Sequence, residues 1–302
     1  MKKHDRTHFY KYFDIKGALK TIGEKSLRLS SPNTFNDPFD FQYPLTPALS
    51  SSEFQKVLLQ DLAENLAAGR LPKLIEDKYA AQGMTVKVKS PESTDVEMIL
   101  KSLSTPDPAL DEELISRLKT IMESYNTELH QFFSDQFVLC LTEDPSNILM
   151  WSHYAAQHTG VVIRFECVEA LDNIFLIAEP VQYQPAPPTY GTSFEWINLL
   201  KGGSGVDSGR FYNQFTLTKA DCWHYEKEWR ICIPDPRSYG LKHYSITLRE
   251  PEISEIYFGC RATTEFCDEV LGLLKRNFPK AKALKMTKSL EKFALVPGKI
   301  CP

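Results

Sequence analysis

The sequence lacks a cysteine framework. Its seven cysteines, Cys140, Cys167, Cys222, Cys232, Cys260, Cys267 and Cys301, are odd in number and scattered, with no CxxC pair. That argues against both a disulfide scaffold and a structural zinc site. Cys140 and Cys232 fall inside apolar runs, where cysteine acts as a small buried hydrophobe. No apolar run is long enough to span a bilayer, and none follows the charged residues Met1 to Arg6. A cytoplasmic protein without membrane attachment is therefore expected. Charge of one sign is not in excess either: 35 Lys and Arg stand against 39 Asp and Glu, for a net charge of -4. A general electrostatic grip on nucleic acid or an anionic membrane is thus not expected. There is no Gly-x-Ser-x-Gly elbow and no internal repeat. The glycine-rich stretch 201–209 lacks the Lys-Ser or Lys-Thr ending of a phosphate loop.

What is present is core material. A chain of 302 residues with 42% hydrophobic and 12% aromatic content can bury a full interior. Period-two patterns predict strands at 8–13, 26–30, 137–142, 161–166, 228–233, 243–248 and 254–258, with a last one at 292–296. Helices are predicted at 15–23 and from about Thr264. A compact helix is also expected, with Asp144 as N-cap, Pro145 at its first position and Gly160 past its end. Between Ser52 and Phe133, cap signals and helical apolar stripes predict a helical insertion. The expected fold is a single α+β domain over 1–302. It has a mixed, mainly antiparallel sheet, flanking helices and an insertion at about 52–133.

Three constellations carry polar chemistry. A strand period of two places Glu226, Glu228, Arg230 and Cys232 on one face and Trp229, Ile231 and Ile233 on the other. Two neighbouring carboxylates suit glycosidic chemistry, where they stabilise an oxocarbenium-like transition state. The ordinary alternative is a cross-strand ion pair between Glu228 and Arg230. On the compact helix, His153 and Tyr154 are polar-tipped and can line a cleft. His153 and His158 are five apart, which does not suit two metal ligands on one helix turn. The loop Phe35-Asn36-Asp37-Pro38-Phe39-Asp40 offers carboxylates to a ribose or a metal, but its spacing matches no calcium loop, and no metal is expected.

These blocks resemble those of a large bacterial family of unknown function. They are Tyr10-Lys11-Tyr12, Phe35-Asn36-Asp37-Pro38, Met150-Trp151-Ser152-His153-Tyr154 and Trp223 to Arg230. The run Glu226-Lys227-Glu228-Trp229-Arg230 is also similar to the Glu-x-Glu strand of mono-ADP-ribosyltransferases. That resemblance implies NAD as substrate. It puts Glu228 on the nicotinamide ribose and Glu226 at the acceptor. Lys11, flanked by Tyr10 and Tyr12, takes the place of the NAD-holding residue of the first strand, and Thr142 that of a second-strand hydroxyl. Tyr154 or Tyr12 would stack on nicotinamide, and Arg230, Asn36 and Asp37 join the cofactor-binding candidates. The implied protein is a toxin or phage-defence effector that modifies a protein or nucleic acid and has an antitoxin or defence-system partner. The rival readings are a nuclease or nucleotide-processing enzyme using Glu226, Glu228, His153 and Lys219, and a non-enzymatic binding module with an aromatic docking surface.

Overall fold

The structure, a computed structural model, describes residues 3–43, 46–47, 135–190, 208–234 and 243–299, with isolated positions 65, 68, 123, 127, 132, 133 and 195. The expected helical insertion lies almost wholly outside the described residues. By its contacts the chain divides into two compact units: Met1–Tyr43, Leu129–Pro187 and Asn213–Pro302 form one, Pro44–Glu128 and Pro188–Tyr212 the other. In the second unit, β3 (Thr46–Pro47) pairs in parallel with β8 (Thr189–Tyr190).

The first unit is α+β, built on a mixed and mostly antiparallel sheet. Its strands are β1 (His8–Phe13), β2 (Ser26–Ser30), β4 (Gln136–Thr142), β5 (Val161–Glu166), β6 (Glu179–Pro180), β10 (Glu228–Pro234), β11 (His243–Thr247), β12 (Ile253–Phe258), β13 (Lys282–Lys288) and β14 (Leu295–Gly298). They run in the order β11-β2-β4-β1-β5-β12-β13-β14, and β10 branches from β4 to carry β6. Among these pairings only β12 with β13 is parallel. Two helices lie late in the chain, α3 (Ser208–Leu217) and α4 (Thr264–Asn277), and the parallel pair fits the crossover that α4 makes from β12 to β13. A separate parallel pair joins β7 (Gln182–Gln184) to β9 (Thr218–Ala220).

Period-two burial explains the layers. Phe9 and Phe13 of β1, Leu139 and Leu141 of β4, Ile163 and Phe165 of β5 and Ile231 of β10 enter one core. Helix α1 (Ile15–Gly23) buries Ala18 and Ile22 there, and α4 buries Phe266, Val270 and Leu274. The opposite face of the sheet holds a second cluster: Tyr10, Tyr12, Val162, Tyr257 and Met286 pack with Met150 and Trp151 of α2 (Ile148–Tyr154).

Two expectations are corrected. The compact helix starts three residues later than Asp144 suggested, with Asn147 as N-cap; its Oδ1 accepts from the Leu149 and Met150 amides. The Asp144 carboxylate instead accepts from the amide and hydroxyl of Ser146, an Asx turn before the helix. The last hairpin also differs from expectation: β13 is a lysine-rich strand with one fully buried side chain, Met286, and so carries little apolar alternation, and β14 begins at Leu295 rather than Lys292.

Candidate functional site

The site opens where two strands part on one edge of β4. Ser30 of β2 pairs with Val138, and Tyr10 of β1 pairs with Thr142. Between those two points no strand among the described residues pairs with β4 on that edge, and the Cys140 carbonyl accepts a hydrogen bond from Lys11 Nζ at 2.9 Å. A cleft of about 430 Å³ occupies the gap. That is large enough for a small molecule of nucleotide size.

Along its other edge β4 pairs fully with β10, with Glu228 opposite Thr142 and Arg230 opposite Cys140. The face of β10 that turns from the core is therefore the face that floors the cleft. Glu226 does not share that strand: residues Asp221–Glu226 form a 3-10 turn, and Lys227 adopts a left-handed conformation at φ 45° before β10 begins. The expected alternation of Glu226 with Glu228 is thus broken. The two carboxylates meet all the same, because Lys219 of β9 reaches both, at 2.6 Å from Glu226 Oε2 and 2.9 Å from Glu228 Oε2.

A buried charge network results. Arg230, only 1% exposed, donates from Nε to Glu228 Oε1 at 2.8 Å, from Nη2 to Asp40 Oδ2 at 2.6 Å, and from Nη1 to the Thr216 carbonyl at 2.8 Å. The Tyr154 hydroxyl donates to Glu226 Oε1 at 2.7 Å. Burial opposes the charge of Glu228, yet Arg230 and Lys219 together hold its carboxyl well below the usual range. Burial likewise opposes the Lys219 charge, but Glu228, Glu226 and Asp40 outweigh it and keep the ammonium ionised. Glu226 goes the other way: burial and the neighbouring Glu228 raise its pKa, with Lys219 and Tyr154 only partly compensating. Asp40 is also raised, first by burial, against the pull of Arg230.

The structure brings most of the sequence candidates into one place. Lys11, Tyr10, Tyr12, Asn36, Thr142, His153, Tyr154, Glu226 and Glu228 all border the cleft. Their free polar atoms differ. Tyr12 donates its hydroxyl to the Asp144 carbonyl, and Thr142 donates to the Glu226 carbonyl at 2.6 Å, so both position their neighbours. His153 is exposed at the rim, and Asn36 reaches the Tyr154 hydroxyl. Arg230 lies beneath the floor and does not border the cleft. Asp37 does not border it either: its Oδ1 accepts from the Phe39 amide and caps the loop.

The sequence offers Asp40 only as one of the loop's carboxylates for a ribose or a metal, and it gives no signal for Tyr183. Asp40 borders the cleft, and its Oδ1 is buried with no hydrogen-bond partner among the described residues. The two loop aspartates look alike in sequence and both are buried, but it is Asp40 that meets Arg230. Tyr183 holds the start of β10 by accepting the Glu228 amide at 2.8 Å.

Residues 150–231 match the model of a family described as protein of unknown function (DUF2971). No curated protein and no solved structure matches the chain. The matched stretch runs from α2 to Ile231, so it contains His153, Tyr154, Lys219, Glu226, Glu228 and Arg230. Lys11, Asn36 and Asp40 complete the cleft from outside it.

Proposed function

We propose that the cleft binds a nucleotide and acts on its N-glycosidic bond, with NAD as the first candidate substrate in an ADP-ribosyltransferase-like reaction. One observation carries this reading: Glu226 is a buried carboxylate at the cleft, hydrogen-bonded by Tyr154 and charge-paired through Lys219 to a second carboxylate, Glu228. A carboxylate fixed in a site from which water is largely excluded stabilises the positive charge that develops on a ribose as its glycosidic bond breaks. Glu228 is paired with the Arg230 guanidinium as well as with Lys219 and serves to hold Lys219 in place, whereas Glu226 is engaged only by Tyr154 and Lys219 among the described residues. Glu226 is then the carboxylate that faces the reacting sugar, and Asp40 Oδ1 is an acceptor for a ribose hydroxyl. Tyr10, Tyr12 and Tyr154 supply aromatic walls.

The phosphate-processing alternative fits less well. The Lys219 ammonium is shared among Glu226, Glu228 and Asp40, the last at 3.6 Å, so it has little charge to offer a phosphate. An acceptor protein or nucleic acid, and a role as a toxin or defence effector, belong to the same proposal.

The test is release of nicotinamide from NAD by the purified chain, alongside its melting temperature with and without NAD. The expected result is nicotinamide release that Glu226→Gln slows by about a hundredfold or more, with NAD raising the melting temperature of both proteins. A wild-type protein that neither consumes NAD nor is stabilised by it at millimolar concentration overturns the reading. Growth arrest on expression, abolished by the same substitution, is the corresponding outcome in cells.

A further inference from the structure

Helix α2 borders a second cavity, of about 560 Å³, distinct from the cleft. Its basic lining comes from His158, Arg261, Lys288 and Lys292, and its apolar lining includes Phe293 and Leu295. Among the described residues no Asp or Glu lines it. Arg261, Lys288 and Lys292 form no ion pair among the described residues, and all three are exposed. Cations gathered in a concave site with no counter-charge repel one another, and an anion placed among them removes that repulsion.

The backbone beside this cavity is unusual. Ala156, Gln157 and His158 follow one another in the left-handed region, at φ 47°, 56° and 70°, and none is glycine. Each such residue costs about 1–2 kcal/mol, so surrounding structure must impose the run. It does: the His158 amide donates to the Trp151 carbonyl at 3.1 Å, the Arg261 amide donates to the His158 carbonyl at 3.0 Å, and the imidazole stacks on Trp151 at an interplanar angle of 10°. The His158 ring is further fixed by a 3.1 Å contact between Nε2 and Ser152 Oγ, while its buried Nδ1 has no partner among the described residues. A strained turn held from three sides sets a histidine at the wall of a basic cavity.

We propose that this cavity is a binding site for an organic phosphate of mononucleotide size, its phosphate met by Arg261, Lys288 and Lys292 and its apolar body by Phe293 and Leu295. The site is separate from the cleft and stands or falls independently of NAD chemistry there. Burial, Arg261 and Lys288 hold the His158 pKa below its ordinary value, so a bound phosphate should move it upward.

Calorimetric titration of the full chain with AMP, adenosine and inorganic phosphate tests this. Wild type is compared with Lys288→Gln/Lys292→Gln and with Arg261→Gln, whose exposed positions leave the fold intact, as melting curves will check. The expected result is AMP binding that weakens with rising salt and falls tenfold or more in either variant. Adenosine should bind at least tenfold more weakly than AMP, inorganic phosphate should compete, and the His158 ring signals in NMR should titrate at higher pH with AMP present. Absence of AMP binding to wild type, or AMP binding that is indifferent to salt and to both variants, overturns the proposal. In the second case AMP sits elsewhere, and nicotinamide release from NAD still decides the cleft's own chemistry.

Discussion

Lys219 and Glu226 meet at 2.6 Å across the 3-10 turn that separates β9 from β10, and the contact is buried on both sides. Glu226 is 3% exposed and Lys219 8%. The turn brings a carboxylate from outside the strand back to a cation that already bridges Glu228 and Asp40. With three carboxylates facing Lys219 and Arg230, each cation is needed to keep the others' charges tolerable.

Lys219→Met removes the shared ammonium and leaves Glu226 beside Glu228 in a poorly solvated site. Breaking such a buried network costs about 3–5 kcal/mol. Adding Glu226→Gln should recover part of the loss, because it removes one of the two repelling charges. Urea denaturation of both single variants and the double variant gives the coupling directly; strict additivity would mean that the two side chains do not interact in solution.

The sheet and its apolar faces were legible because the strands that matter are buried on one or both faces and alternate strongly. Phe9, Tyr10, Lys11 and Tyr12 already place aromatics on both sides of β1, and Ile231 of β10 goes to the core as its period requires. His153, Tyr154, Lys11 and Glu228 converge on one cleft because the chain runs from α2 into β5, the neighbour of β1. The break before Glu228 was not legible. A strand period continues smoothly through Glu226 in sequence, and only tertiary contacts force Lys227 into the left-handed turn. Nor does sequence reveal that Glu228 and Arg230 are sealed in: an alternating Glu and Arg spells an exposed ion pair as readily as a buried one.

Glu228→Gln should act first on stability. The resemblance to mono-ADP-ribosyltransferases puts this residue on the nicotinamide ribose, but its two oxygens are held by Arg230 and Lys219 in the interior. Replacing it leaves Arg230 with one carboxylate partner, Asp40, at a cost of about 3–5 kcal/mol. The same origin gives a pH dependence. A carboxyl whose folded pKa is depressed contributes stability that is present above its ordinary value of 4.5 and is lost as pH falls below it. Wild type should therefore lose stability on acidification below that value, and Glu228→Gln should lose less over the same interval. Parallel curves for the two proteins would contradict the pairing.

Activity should follow Glu226. Its ionised form is the one that stabilises a cationic transition state, and burial followed by Glu228 raises its pKa above 4.5. The acid limb of kcat/KM should then lie above that value, with activity falling as pH drops through it. The Tyr154 hydroxyl lowers this pKa by donating to the carboxylate, so Tyr154→Phe should move the limb to higher pH as well as reduce the rate. A limb that stays in place in Tyr154→Phe would remove Glu226 from the reaction.

A glycine packs tightly against the left-handed turn at His158. Gly259 follows β12, and its amide donates to the Gly160 carbonyl at 2.9 Å. A Cβ on Gly259 would lie 2.0 Å from the His158 carbonyl oxygen, 2.6 Å from its carbon and 3.1 Å from the Trp151 ring. The first two are backbone atoms of the left-handed turn, fixed by their own hydrogen bonds, so they cannot swing aside as a side chain would. Gly259→Ala must therefore push the His158 turn off β12, with a loss of about 3 kcal/mol or more. Because that turn continues from α2, the substitution should also speed amide exchange through Trp151 and Tyr154. Gly272 makes the opposite case. It lies exposed within α4, a Cβ there would meet nothing within 4 Å, and Gly272→Ala should stabilise by about 0.5–1 kcal/mol through helix propensity alone. Thermal melts of the two variants beside wild type should move in opposite directions. A Gly259→Ala protein that melts with wild type would mean that the tight contact between β12 and the His158 turn is not maintained in solution.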